Sequence, residues 1–215
     1  MKKLESLLLA MACTLTACGQ HPPKEEGDFF ANDLVEIVLV DSTIRLDIRY
    51  ATTNNFAGMK VYEEASAFLQ RPAAVALAEV NKELRQLGYG LMVFDGYRPW
   101  SVTKFFWDIT PKDQKAYVAD PKKGSVHNRG CAVDLTLYNL ETGEQVDMPS
   151  GYDEMNEKAH PDYKGGTETQ RANRDLLIGK MQEHGFTVYP VEWWHFDYKD
   201  TKHYRITDVP FGELK

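Results

Sequence analysis

The sequence predicts a single domain of the α+β class. Its 215 residues are about one and a half times the length of a typical domain. Hydrophobic residues make up 43% of the chain and charged residues 27%, which is enough apolar material for a core without metal or disulfide support. The predicted strands and helices follow one another without regular βαβ alternation, which argues against a doubly wound parallel sheet.

The first predicted elements are two strands and a helix. Residues 34–40 and 44–50 are rich in β-forming side chains and flank a polar segment at 41–43, which predicts a hairpin. Residues 72–87 predict a helix, because the proline at its start suits a first turn and Gly88 suits the stop. The apolar residues that recur in it at helical spacing are Val75, Ala78, Leu84 and Leu87.

Three strands and two helices are predicted further along the chain. They are a strand at 91–95, a helix at 99–107, a strand at 131–138, a helix at 169–184 and an aromatic strand at 186–198. Pro99 opens the first of these helices, and Gly185 follows the second as a C-cap. Pro190 lies inside the last strand, where it predicts a bend or a break because proline cannot donate a ladder hydrogen bond.

The N-terminus predicts export from the cytoplasm. Residues 1–3 carry two lysines, and residues 7–15 form an apolar run too short to span a bilayer, as in a signal peptide. Residues 15–18 read Leu-Thr-Ala-Cys and resemble the lipobox of bacterial lipoproteins, which implies a signal peptide at 1–17 and acylation of Cys18. Ordinary cleavage that leaves Cys18 unmodified is the alternative. In both cases we expect a protein of the cell envelope, with any membrane contact confined to a lipid anchor at Cys18.

The mature chain is predicted to start with a flexible tether at 18–28, followed by the folded domain at 29–215. Of the three cysteines, Cys13 leaves with the signal peptide and Cys18 carries the lipid. Cys131 then has no disulfide partner, and burial is the best explanation for its free thiol. The net charge of −7 without a basic tract speaks against nucleic acid as a partner.

Two segments supply residues that suit a metal site. Residues 125–134 read S-V-H-N-R-G-C-A-V-D, and residues 192–195 read E-W-W-H. Together they contribute His127, Asp134 and His195. Two imidazoles and one carboxylate with an open fourth position suit one catalytic zinc ion per chain, whereas nitrogen ligands disfavour calcium or magnesium.

Strand alternation predicts part of the geometry of this site. Asp134 falls on the polar face of the strand at 131–138, and Cys131 falls on the opposite face, in the core. His127 precedes Gly130, and a turn at this glycine would bring the imidazole back over Asp134.

The second segment predicts an irregular strand. Glu192 and His195 are three residues apart, so a regular strand would point them to opposite faces. If both act at one metal ion, the chain must bend or bulge near Trp193.

The pattern S-x-H-x-x-G-x-A-x-D followed by E-x-W-H resembles the zinc D,D-peptidase family, peptidase M15. That family includes VanX-type D-alanyl-D-alanine dipeptidases and D,D-carboxypeptidases, and it shares a fold with hedgehog signalling domains. Residues 95–99, D-G-Y-R-P, are similar to the arginine-bearing turn of the dipeptidase branch, and residues 152–155, Y-D-E-M, to its substrate-binding loop. The resemblance implies a mainly antiparallel central sheet flanked by helices, and zinc-dependent hydrolysis of the small dipeptide D-alanyl-D-alanine in cell-wall peptide turnover.

Chemistry and resemblance together predict roles for four further residues. With zinc polarising the scissile carbonyl, Glu192 acts as the general base, and Arg98 stabilises the oxyanion. The resemblance implies that Asp153 binds the substrate ammonium, and Ser125 is a second candidate for substrate contact. Two structural alternatives stay open: Arg98 pins its own turn through an ion pair, and Asp153 caps a helix that begins near Glu154.

Two other functions stay open as well. A peptidoglycan D,D-carboxypeptidase or endopeptidase needs an open groove, whereas a dipeptidase needs a small closed cavity. An inactive zinc-stabilised binding lipoprotein has no need for a base such as Glu192. An envelope location favours recycling of D-alanine released from the wall over vancomycin resistance, which requires access to the cytosolic dipeptide.

Overall fold

The computed structural model describes residues 21–214. Its strands and helices in chain order are β1 (Leu34–Glu36), α1 (Ile37–Val40), β2 (Arg45–Leu46), β3 (Phe68–Gln70), α2 (Arg71–Gln86), β4 (Tyr89–Asp95), α3 (Trp100–Ile109), β5 (Ala132–Asn139), α4 (Glu168–Glu183), β6 (Phe186–Tyr189) and β7 (Glu192–Tyr198). The predicted signal peptide and the predicted anchor at Cys18 lie outside the described residues, and both stay predictions.

A five-stranded sheet in the order β2-β4-β5-β7-β6 forms the centre of the domain. All its pairings are antiparallel except that of β2 with β4. The predicted α+β fold, with a mainly antiparallel central sheet flanked by helices, is therefore confirmed. Strands β1 and β3 form a separate two-stranded antiparallel sheet. Among residues 21–214, no helix combines the length and the hydrophobicity that a membrane span requires.

Helices α2 and α4 pack against each other and against strands β4 and β6 respectively. The bounds of both agree with the sequence prediction to within one residue, because both ends carry local signals. Helix α4 begins with a capping box, in which Thr167 and Gln170 satisfy each other's backbone N–H groups. Gly88 and Gly185 follow the two helices with φ angles of 87° and 85°, in the left-handed region that favours glycine.

The buried face of α2 differs from the predicted one. Val75 and Leu87, expected in the apolar stripe, are 50% and 52% exposed. The residues that pack into the core are Ala73, Ala74, Leu77, Val80 and Leu84. These positions also recur at helical spacing, and the small alanines let the helix lie close to the sheet. Leu84 was predicted correctly, but Leu77 and Val80 were missed together with the two alanines, because helical spacing alone fits more than one set of apolar residues in this segment.

The predicted hairpin at 34–50 is wrong. Its first half pairs with β3, and its second half contains β2, which runs parallel to β4 in the other sheet. Between them, residues Ile37–Val40 form a single helical turn. The side chain of Asp41 then accepts hydrogen bonds from Thr43 and from Asn81 of α2, which ties the connection to that helix. Tertiary contacts thus override the local preference for strand.

Strand β5 lies at the middle of the sheet, with residues 132–138 buried on both faces. Cys131, directly before it, is a free thiol in the core, as predicted. Burial raises the pKa of this thiol to about 12 and keeps it neutral, and strand alternation points it away from Asp134. The predicted aromatic strand at 186–198 is broken at Pro190 into the antiparallel pair β6 and β7.

Part of the predicted tether at 18–28 is held against the domain. The carboxylate of Glu25 accepts hydrogen bonds from Arg129 at 2.6 Å and from the backbone N–H of Ile206 at 2.7 Å. The ring of Phe30 stacks on that of His203 with centroids 5.0 Å apart. Contacts with the domain therefore begin by residue 25, inside the segment that the sequence predicts as a tether.

Candidate metal centre

Three neighbouring strands bring carboxylates and an imidazole into one row. Asp134 of β5 pairs with Asp95 of β4 on one side and with His195 of β7 on the other. A register shift in β4 between Val93 and Asp95 skips Phe94, so that Asp95 and not Phe94 faces Asp134. Directly opposite residues in a sheet have side chains in contact, so this register places the His195 imidazole beside the Asp134 carboxylate.

A tight loop brings His127 to the same place. Residues His127–Arg129 form a 3₁₀ turn that ends at Gly130, whose φ of 67° lies in the left-handed region. A side chain at position 130 would clash, since an added Cβ would lie 2.3 Å from a Leu34 methyl carbon. The backbone carbonyl of His127 accepts from the N–H of Arg98, which joins this loop to the turn after β4. The predicted return of His127 over Asp134 is confirmed.

The predicted irregularity between Glu192 and His195 is present in β7. Its partner β6 pairs Val188 with Phe196 and then Tyr189 with Glu192, so three residues of β7 bulge out of the ladder with β6. Glu192 and His195 consequently line the same cavity, and Glu192 Oε2 lies 3.8 Å from His195 Nδ1.

The three predicted ligands present one atom each to a common point, with these atoms within 4.8 Å of one another. His127 Nε2 and His195 Nδ1 are 3.1 Å apart. Asp134 Oδ1 lies 3.3 Å from the former and 3.0 Å from the latter, yet no neighbour among the described residues satisfies it with hydrogen-bond geometry. A buried carboxylate oxygen facing two imidazole nitrogens suits a cation, and this donor set suits zinc.

Hydrogen bonds on the far side of each ligand orient it. His127 Nδ1 lies 2.7 Å from the carbonyl oxygen of Gly96, and His195 Nε2 lies 2.8 Å from Asp197 Oδ1. Both partners are acceptors, so with a metal ion bound each ring would keep its proton on that side and turn a lone pair toward the common point. The hydroxyl of Tyr152 donates to Asp134 Oδ2 at 3.0 Å and leaves Oδ1 free.

In the absence of an ion, the charges within the cluster shift the pKa values of its members. Burial opposes ionisation of Asp134, but the two imidazoles outweigh it and hold the pKa of this carboxyl below its usual range. Burial lowers the pKa of His195, but the Asp134 carboxylate close to Nδ1 and the hydrogen bond to Asp197 outweigh it and raise the pKa to about 10 in the metal-free protein. Burial raises the pKa of Glu192, with His195 acting in the opposite direction. The two carboxylates beside His195 therefore stabilise positive charge at this point.

Arg98 lies beside the metal point and is fixed by Asp95. Its Nε and Nη2 both donate to Asp95 Oδ2, at 3.0 Å and 2.7 Å, and Nη2 lies 3.9 Å from Asp134 Oδ2. Asp95 itself is buried and also accepts from the hydroxyl of Tyr62 at 2.9 Å. The ion pair anticipated as the structural alternative for Arg98 thus exists, in a side chain that also lines the cavity.

Asp153 faces the cavity from the opposite loop. It has a φ of 59°, the only positive value outside glycine among residues 21–214, and its carboxylate accepts from the hydroxyl of Tyr50 at 3.2 Å. Burial and the charge of Asp134 raise the pKa of Asp153 to about 7. The capping alternative is wrong, because the following turn begins at Glu157 and is capped by Asn156.

All seven predicted site residues line one cavity of about 230 Å³. They are Arg98, Ser125, His127, Asp134, Asp153, Glu192 and His195. The Oγ of Ser125 also accepts from the backbone N–H of His127 at 3.2 Å, so this residue shapes the metal loop. Aromatic side chains form much of the wall, among them Tyr50, Phe56, Phe106, Tyr189 and Trp194.

Four polar residues at the site were not predicted, namely Tyr50, Asp95, Tyr152 and Asp197. Asp95 and Tyr152 lie inside the sequence motifs that predicted the site, but the sequence analysis assigned no role to either residue. Asp197 carried a usable signal, because it follows His195 by two residues on a strand and so shares its face. Tyr50 carried none, since its contact with Asp153 spans 103 residues of chain.

A His-Asp-His ligand set with a carboxylate and a guanidinium in one small cavity of an α+β domain defines a metal-dependent hydrolase. The family model of the M15 peptidases, described as D-ala-D-ala dipeptidase, matches residues 30–211, and the chain belongs to this family.

Curated relatives cover most of the chain. The D-alanyl-D-alanine dipeptidase of Enterococcus faecalis is 37% identical over 88% of this chain and 96% of its own length. That of Escherichia coli is 34% identical over 84% of this chain and 92% of its own. That of Streptomyces coelicolor is 35% identical over 82% of this chain and 94% of its own.

Proposed function

We propose that this protein is a zinc-dependent dipeptidase that hydrolyses D-alanyl-D-alanine to D-alanine. The observation that carries the proposal is the convergence of three metal ligands, a carboxylate, a guanidinium and a second acidic group on one small cavity. The names of the relatives, which match this chain over nearly their whole length, supply the substrate.

His127, Asp134 and His195 would hold the zinc ion. When bound, zinc supplies a Lewis acid that polarises the scissile carbonyl and makes a coordinated water more acidic. Glu192 lies beside this point, and burial raises its pKa, which makes its carboxylate a stronger base than an exposed one. Glu192 takes the proton of the attacking water and passes it to the leaving amine nitrogen.

Two charged groups recognise the substrate in this scheme. Arg98 is held by Asp95 with its guanidinium edge 3.9 Å from Asp134, where it can donate hydrogen bonds to the oxygen that gains negative charge. Asp153, across the cavity, pairs with the free ammonium of the dipeptide. Ser125 lines the same cavity and stays a candidate for a further hydrogen bond to the substrate.

The size of the cavity favours a small substrate. Sites for drug-sized ligands are about 300–1,000 Å³, and the cavity of about 230 Å³ found here is smaller. A free dipeptide suits such a volume better than a peptidoglycan stem does, which places D,D-carboxypeptidase or endopeptidase activity second. An inactive binding protein is disfavoured by Glu192, because binding alone needs no base beside the metal.

One assay separates these functions. The purified protein is treated with a chelator, reloaded with zinc, and tested on D-Ala-D-Ala, L-Ala-L-Ala and a stem pentapeptide. We expect D-Ala-D-Ala to be hydrolysed, the activity to disappear on chelation and zinc to restore it. Preferential cleavage of the pentapeptide would identify a wall hydrolase. Zinc binding without hydrolysis of any substrate would identify a binding protein, and activity that survives full chelation would refute the zinc mechanism.

We propose further that the protein works in the cell envelope and recycles D-alanine from the wall. Support comes from the sequence alone, namely the basic start, the short apolar run and the lipobox-like residues 15–18. Cell fractionation of the wild type and of Cys18→Ala tests this proposal. Wild-type protein in the membrane fraction and release of the variant would support it, whereas wild-type protein in the cytosol would overturn it.

A further inference from the structure

Asp197 was absent from the predicted site but contacts one of its ligands directly. Its Oδ1 accepts the hydrogen bond of His195 Nε2 at 2.8 Å. We infer that Asp197 is a positioning residue that keeps the Nδ1 lone pair of His195 free for the metal. The inference rests on the proposed zinc site and extends it to a residue that never touches the ion.

The reason lies in a competition between two carboxylates for one proton. A neutral imidazole carries a single N–H, on either Nδ1 or Nε2. His195 Nδ1 lies 3.0 Å from Asp134 Oδ1, so Asp134 favours the form with the proton on Nδ1. That form cannot bind zinc, because its Nδ1 has no lone pair to donate. Asp197 favours the opposite form, with the proton on Nε2, and so restores the ligand.

The other histidine shows why His195 depends on a side chain. His127 Nδ1 is held by the backbone carbonyl of Gly96 in a buried position, and a carbonyl oxygen can only accept. No substitution of a side chain removes that contact. For His195, the corresponding acceptor is the side chain of Asp197. A substitution of Asp197 can therefore change the orientation and the proton position of the His195 imidazole.

The backbone around Asp197 is held independently of its carboxylate. Asp197 pairs with Ala132 of β5 on one side and with Thr187 of β6 on the other. Its side chain is 33% exposed, so truncation leaves no closed void in the core. The ring of His195 also packs against that of Tyr189, with centroids 5.2 Å apart. Loss of the Asp197 carboxylate should therefore change the proton position and orientation of the His195 imidazole and leave the fold intact.

The test measures zinc affinity by competition with a chelator in Asp197→Ala, Asp197→Asn and a control, Asp200→Asn. The control removes one negative charge three residues further on, from a side chain that makes no capping hydrogen bond in its turn. We expect Asp197→Ala to weaken zinc binding about 10- to 100-fold. Asp197→Asn should lose less, since its amide oxygen still accepts, and the control should match the wild type.

A second measurement determines which ring nitrogen of His195 carries the proton. Nitrogen-detected NMR of the zinc-loaded protein should show the His195 proton on Nε2 in the wild type, and a changed Nε2 signal in Asp197→Ala. Metal-free Asp197→Ala should keep the wild-type circular dichroism and unfold cooperatively, which excludes a folding defect, although loss of the contact with His195 lowers its unfolding temperature. Wild-type zinc affinity in Asp197→Ala, or an equal loss in the control, would overturn the inference. A wild-type protein that binds no zinc would refute the metal centre itself.

Discussion

Replacing Arg98 with alanine should both destabilise the protein and stop its reaction, and the two effects can be separated. The guanidinium is 12% exposed and donates twice to Asp95, which is 1% exposed. Removing one partner of a buried ion pair costs about 3–5 kcal/mol, because the other charge is left without compensation. Burial already raises the pKa of Asp95, so its protonation would relieve part of this cost. We therefore expect a loss of about 3 kcal/mol in the free energy of unfolding.

The catalytic effect is expected to be of a different kind. Loss of one group that stabilises a developing oxyanion lowers kcat by about 10²- to 10³-fold. Chemical denaturation gives the stability of Arg98→Ala, and hydrolysis of D-Ala-D-Ala at a temperature where the variant is folded gives kcat and KM. We expect kcat to fall more than substrate affinity, with the zinc content unchanged.

The double variant Asp95→Asn/Arg98→Ala decides between the two roles. A neutral amide in place of the isolated carboxylate should restore most of the lost stability. Activity should stay low, because the donors of Arg98 are still missing. If the double variant regained wild-type kcat, or if Arg98→Ala alone kept it, Arg98 would act only by pinning its turn, and the reasoning would be refuted.

Three further substitutions test the remaining roles. Glu192→Gln should keep its zinc and lower kcat by about 10²- to 10⁴-fold, since the amide cannot accept the proton; near-normal turnover would exclude Glu192 as the base. Burial and the charge of Asp134 raise the pKa of Asp153 to about 7 in the metal-free protein, and a bound zinc ion would lower it from that value. Only the ionised form pairs with an ammonium, so KM should rise as pH falls through the pKa of Asp153 in the zinc-loaded enzyme. Asp153→Asn should raise KM at all pH values and remove this dependence, and a KM profile unchanged by the substitution would contradict the role. Tyr152→Phe keeps the ring but loses the hydrogen bond to Asp134, so chelator competition should show zinc affinity reduced by about 10-fold; full affinity would show that this contact is dispensable.

The helices and the candidate ligand set could be predicted from the sequence because their signals are local. The limits of α2 follow from its early proline and from Gly88, and Gly185 marks the end of α4. The capping box of Thr167 and Gln170 is a further local signal, which the prediction did not use. The alternation in β5 placed Asp134 and Cys131 on opposite faces. The spacing of Glu192 and His195 even predicted the bulge in β7, because only an irregular strand brings both to one cavity.

Contacts between distant parts of the chain could not be predicted from the sequence. The segment at 34–50 looked like a hairpin, but its two halves pair with strands of different sheets. The hydrogen bonds that orient the candidate metal ligands come from distant groups. The Gly96 carbonyl is 31 residues from His127, and the Tyr152 hydroxyl is 18 residues from Asp134. Such pairs leave no periodicity and no spacing that a single sequence can show.

The sequence alone therefore predicted which side chains would hold the metal and which helices and strands carry most of them. Only the tertiary structure decided which strands pair and which ring nitrogens carry protons, and hence where the lone pairs of the ligands point. The physical reason is that helix limits and face alternation depend on neighbours within a few residues. Strand pairing and the orientation of buried polar groups depend instead on partners that the fold brings together.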